Sequence, residues 1–117
     1  MKKVKCIFVD SSTKKITETK FDGKYYSIHE LMGNDVSHIN WVELFTGDFI
    51  YYEMESESEN YVTIGDMKFR GNVVVVGKPT EDSTDYDWEC ENVFIPVCLV
   101  ESYTTFENVK EVELVES

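Results

Sequence analysis

The sequence predicts an α+β fold: a mainly antiparallel sheet of about five or six strands with one or two short helices. Three observations carry that expectation. Short apolar or alternating runs recur along the chain, among them VKCIFV, INWVELF, FIYYEM and NVVVV. Turn formers separate them at Asp22-Gly23, Thr46-Gly47-Asp48 and Gly65-Asp66. The clearest helix signal, SIHELM from Ser27 to Met32, spans only about two turns and needs a sheet to pack on.

The elements follow in order. Val4 to Val9 and Ile16 to Phe21 read as a hairpin joined by DSSTKK. The first strand is apolar on both faces and belongs at the centre of a sheet. The second is more polar, and its lysines suit an edge. Ser27 and Glu30 have capping-box spacing, and Tyr26 and Leu31 fit the accompanying apolar staple. Gly33 or Asn34 can take the left-handed stop. Ile39 to Phe45 alternates as a strand, and Phe49 to Met54 returns after the Thr46-Gly47-Asp48 turn. Tyr61 to Ile64 can pair back along FIYYEM, with Met67 to Phe69 short beyond it. Asn72 to Val76 is a buried strand. Thr80 to Asp87 is the most loop-like stretch. Pro96 bends the chain ahead of a further helix or strand. Val109 to Val115 is a strand or a helix.

With 117 residues, 42% of them hydrophobic and 14% aromatic, the chain is one domain with enough apolar surface for a core. Its charge is uneven. Residues 1–24 hold seven lysines against three acids, and residues 25–117 hold four basic against twenty acidic residues, for a net charge of −12. Such a surface repels nucleic acid and anionic membranes and attracts cationic partners. Cys6, Cys90 and Cys98 are odd in number and have no framework spacing. The apolar run after Met1 and its lysines is too short for a signal peptide. No run is long enough to span a membrane. These features place the protein, reduced, in the cytoplasm. Cys6 and Cys98, in apolar strands, read as core filler.

The acids are arranged in two rows. EMESESE places Glu53, Glu55, Glu57 and Glu59 at every second residue, and DYDWECE does the same for Asp85, Asp87, Glu89 and Glu91. In an extended strand such residues share a face and repeat every ~6.6 Å, close to two ~3.4 Å steps between charges on one DNA strand. Each neighbouring pair repels by roughly 0.6 kcal/mol in water before screening, which a basic partner would relieve. The plainer reading is a solvated hairpin tip. Tyr86 and Trp88 alternate with the second row. In a strand they occupy the face opposite the acids; in a loop they are exposed anchors ringed by acid.

Catalytic and metal motifs fail on inspection. His29-Glu30 opens a zinc-protease signature, but Gly33 stands where the second histidine belongs, and His38 shares no helical face with His29. Gly71 to Lys78 is one residue too long for a phosphate loop, and Pro79 replaces the magnesium-holding hydroxyl. Asp82, Asp85, Asp87 and Glu89 lack the EF-hand pattern. Ser11, Ser12, His29 and Asp35 lack a nucleophile elbow.

A basic N-terminal hairpin, a short helix ending at glycine (SIHELMG), the strand WVELF and a glycine step into GNVVVVG occur here in that order. Over residues 4–77 this order resembles small domains of unknown function carried by phages and plasmids. The resemblance implies a mobile-element origin and a host-cytoplasmic setting, and it carries over no catalytic residue.

The expectation is therefore a non-enzymatic, DNA-mimic-type inhibitor of host defence or DNA-handling machinery, with no cofactor and no metal. It occupies the basic surface of a nucleic-acid-binding protein through Glu53, Glu55, Glu57, Glu59, Asp85, Asp87, Glu89 and Glu91, with Tyr86 and Trp88 as anchors. Two alternatives stand beside it. One is a small-molecule binder, for instance a nucleotide-sequestering module, with a pocket between sheet and helix and the N-terminal lysines or Arg70 near a phosphate. The other is a structural subunit whose acids confer solubility.

Overall fold

A computed structural model describes residues 3–32, 39–54, 58–80 and 89–108. Their elements are β1 (Val4–Asp10), β2 (Lys15–Phe21), α1 (Tyr25–Met32), β3 (Ile39–Glu43), β4 (Phe49–Glu53), β5 (Asn60–Ile64), β6 (Met67–Arg70), β7 (Val73–Val76), α2 (Val97–Tyr103) and β8 (Thr104–Asn108). The fold is α+β. All pairings are antiparallel, in one five-stranded sheet of order β2-β1-β7-β4-β3 and one three-stranded sheet of order β6-β5-β8.

Strand β7 explains the layering. It lies between β1 and β4, and all four of its valines are fully buried. Val73 and Val75 face the small sheet together with Ile7, Val9 and Ile50, against Val62, Ile64 and Phe69. Val74 and Val76 face α1 together with Val4, Cys6 and Tyr51, against Ile28 and Met32. The alternation of side chains along each strand thus feeds two cores from one sheet. Burying each valine contributes about 1.5–3 kcal/mol of transfer free energy.

The hairpin of β1 and β2 pairs Val4 with Phe21 through to Asp10 with Lys15, β1 central and β2 at the edge. The opposite edge, β3, is blunted by its own side chain, for Asn40 Oδ1 accepts the amide of Trp41 at 2.8 Å.

Four expectations need correction. β5 does not return along β4. It pairs with β6 and β8 in the second sheet, because β7 already occupies the free side of β4. Ser27 does not cap α1, which starts two residues earlier. Its hydroxyl instead serves Asp22, whose carboxylate also accepts the Lys24 amide at 2.9 Å. Hydrogen bonding from Ser27, ahead of the smaller opposing effect of burial, holds Asp22 below the usual carboxylate range. The strand of INWVELF stops at Glu43, and Leu44 and Phe45 enter the turn. Cys98 is exposed on α2, whereas Cys90 is buried beside Cys6. The stop at Gly33 or Asn34, the loop core 81–88 and the end 109–117 lie outside the described residues.

Candidate binding site

The turn between β3 and β4 anchors the site. Leu44 N donates to Asp48 O at 2.7 Å and Gly47 N to Leu44 O at 2.9 Å, with Gly47 at φ +90°. Glycine meets that left-handed position without strain. The turn delivers the Asp48 side chain, 1% exposed, into the interior. There its carboxylate accepts the amides of Phe94 at 2.7 Å and Ile95 at 2.9 Å and the Thr46 hydroxyl at 2.6 Å. Charge-assisted bonds of this kind are about twice as strong as neutral ones. They lock residues 94 and 95 against the turn, just ahead of Pro96, which opens α2 at φ −67°. At the far end of α2, Tyr103 O accepts the amide of Gly65 in the β5–β6 turn at 2.9 Å.

Two turns and one helix, tied in this way, enclose an apolar cavity of about 340 Å³ at the mouth between the two sheets. Its floor is Val75 and Ile95; Leu44, Ile64, Met67 and Val100 form the sides. Phe45 and Tyr103 stand at the opening, edge to face with centroids 6.3 Å apart at 84°. Phe45 is 80% exposed and Tyr103 48% exposed. Among the described residues Glu43 and Asp66 are the charged ones that line the cavity, both exposed, and no lysine or arginine does. The volume lies at the small end of the ligand-site range, which starts at about 300 Å³.

The acidic rows lie elsewhere. Glu53 ends β4 and Glu59 immediately precedes β5, so the first row bridges the two sheets. Glu53 borders a smaller polar cavity of about 170 Å³ with Ser11, Ser58 and Asn72. Asn72 Oδ1 accepts both the amide of Ser11 at 2.9 Å and its hydroxyl at 3.1 Å, pinning the β1–β2 turn to the start of β7. Glu89 and Glu91 sit past the other end of β7: the backbone of Glu89 pairs antiparallel with that of Lys24, and the Glu91 amide donates to Lys78 O at 2.8 Å. From the level of Asn72 to that of Lys78, extended chain covers roughly 20 Å. The described members of the two rows therefore do not form one patch. Glu55, Glu57, Asp85, Tyr86, Asp87 and Trp88 lie outside the described residues.

Arg70, considered for a phosphate, points away from the large cavity. Its Nε donates to Ser58 O, and its guanidinium lies 5.6 Å from the Tyr61 ring centroid on the outer face of the small sheet. On the same face Lys68 sits 4.9 Å from that centroid and pairs with Glu107 at 3.1 Å. The large cavity thus lies between two sheets rather than between sheet and helix α1. The sequence reading missed its mouth, Phe45 and Tyr103. The available signal was Phe45 directly before a tight turn, where an aromatic has no strand neighbour to cover it.

Fold and site together define a two-sheet α+β protein with an apolar, acid-rimmed cavity. Compared with protein-family models, curated proteins and solved structures, the chain finds no match.

Proposed function

We propose that the protein is a non-catalytic, acidic interaction protein. It occupies the basic surface of a protein that itself binds nucleic acid, and so acts as a DNA-mimic-type inhibitor. The observation that supports this reading is the charge of the chain: a net −12, with acids at every second residue in two runs, 53–59 and 85–91. Among the described residues Glu53 and Glu59 flank the step from β4 to β5, and Glu59 and Glu91 are exposed. A cationic partner is attracted to such a surface and steered onto it.

The test is retention of a nucleic-acid-binding protein from a host-type lysate at low salt, with elution in salt steps. The expected result is release at moderate salt, and at least tenfold weaker retention after Glu55→Gln with Glu57→Gln, with a melting temperature of the variant no lower than that of the parent. Retention indifferent to salt and to those glutamates would reduce the rows to solubilising surface.

A further inference from the structure

Phe45 and Phe94 stand out on this surface, 80% and 78% exposed. Phe45 stands at the mouth of the cavity. The Phe94 amide is bound by Asp48 of the turn that carries Phe45, and Tyr103 touches Phe45 edge to face. Leu99, also exposed, lies one helical turn before Tyr103 on α2, on the same stripe. Large apolar side chains gathered at the mouth of an apolar cavity mark a binding surface. Among the described residues the charge at that mouth has one sign. Glu43 and Asp66 line it, and the nearest lysine on β6, Lys68, faces the other side of the small sheet in its pair with Glu107.

We propose that this cavity docks a peptide segment of a partner protein, inserting one large apolar side chain that is flanked by lysine or arginine. The apolar side chain fills the space above Val75 and Ile95. The neighbouring cation lies against Asp66 and Glu43, and over the Phe45 or Tyr103 ring, where a cation is attracted to the ring face. A peptide rather than a small molecule is the occupant because the exposed apolar stripe of α2 runs on from Tyr103 at the mouth to Leu99, outside the residues that line the cavity. The site stands independently of the acidic rows, since none of their described members lines it.

The experiment is a titration of isotope-labelled protein, followed by amide NMR, with a capped hexapeptide carrying tryptophan between lysines. The expected result is saturable shifts centred on Phe45, Gly65, Asp66 and Tyr103. Affinity should fall at least tenfold when the peptide's tryptophan becomes serine or its lysines become glutamates. Phe45→Ser and Asp66→Lys, both at exposed positions, should each weaken binding at least tenfold while the melting temperature holds. Absence of binding at millimolar peptide overturns the proposal. So do shifts confined to Glu53, Glu59, Glu89 and Glu91, equal binding of the glutamate peptide, and indifference to Asp66→Lys. Concentration-dependent self-association that buries Phe45 overturns it as well, by making a second copy the occupant.

Discussion

Asp48 ties the β3–β4 turn to Phe94 and Ile95, 46 and 47 residues further along the chain. Replacing it with alanine strands the amides of Phe94 and Ile95, each left without its acceptor. The expected cost is about 3 kcal/mol, or a fall of about 10–20 °C in melting temperature for a domain of this size. Asp48→Asn should recover only part, since its Oδ1 can still accept one amide but its NH2 cannot accept the other. Urea denaturation of both variants checks this. The thiols make a second residue-scale case. Burial pushes Cys6 and Cys90 up to about 12, so both are neutral and shielded near neutral pH. In the native protein a thiol reagent should label Cys98 alone, and in denaturant all three. A raised thiol pKa means that the folded state keeps protons the unfolded chain releases. The associated stability is whole below about pH 8.5 and is lost as pH rises toward the folded value. Each thiol removes about 1.4 kcal/mol per pH unit across that window. Denaturation midpoints measured from pH 8 to 10.5 should fall accordingly, and less steeply in Cys90→Ala.

At the scale of elements, the segment from Glu89 to Ile95 holds the end of the large sheet. The amides of Cys90, Glu91 and Val93 donate to Gly23, Lys78 and Lys5 at 2.9, 2.8 and 3.0 Å. This seam closes only because Gly77 has no side chain: a Cβ there would fall inside the carbonyl oxygens of Glu91 and Asn92. Those are backbone atoms and cannot swing aside. Gly77→Ala should therefore cost about 2 kcal/mol or more, with faster amide exchange at Cys90, Glu91 and Val93. The surface turn glycine Gly47, whose Cβ would meet nothing within 4 Å, should instead show only the strain of its positive φ.

For the whole molecule, charge is the dominant surface fact. A net −12 on 117 residues opposes compaction by self-repulsion. Raising sodium chloride from about 10 to about 150 mM shortens the screening length from about 30 to about 8 Å. The melting temperature should rise by a few degrees across that range, and the rise should shrink when Glu55 and Glu57 are neutralised. The same salt that stabilises the free protein would weaken a basic partner's grip, which separates the two electrostatic effects.

The fold class, the central first strand with its edge partner, the short helix, the four-valine strand and the bend at Pro96 were legible in the residues alone. These depend on local alternation, turn chemistry and proline geometry, each readable within a few residues. The division of the strands into sheets of five and three emerges with long-range pairing, because nothing local tells β5 whether β4 or β8 is its neighbour. The tertiary structure also placed Glu53 and Glu59 at the opposite end of β7 from Glu89 and Glu91, although both runs read alike in the sequence. The cavity mouth was out of reach for the same reason: Phe45, Asp66 and Tyr103 come from three separate stretches, brought together by the ties of Asp48 and Gly65. Residue patterns report the path of the chain. Which paths meet depends on long-range pairing, where the free energy rests on partners far away in sequence.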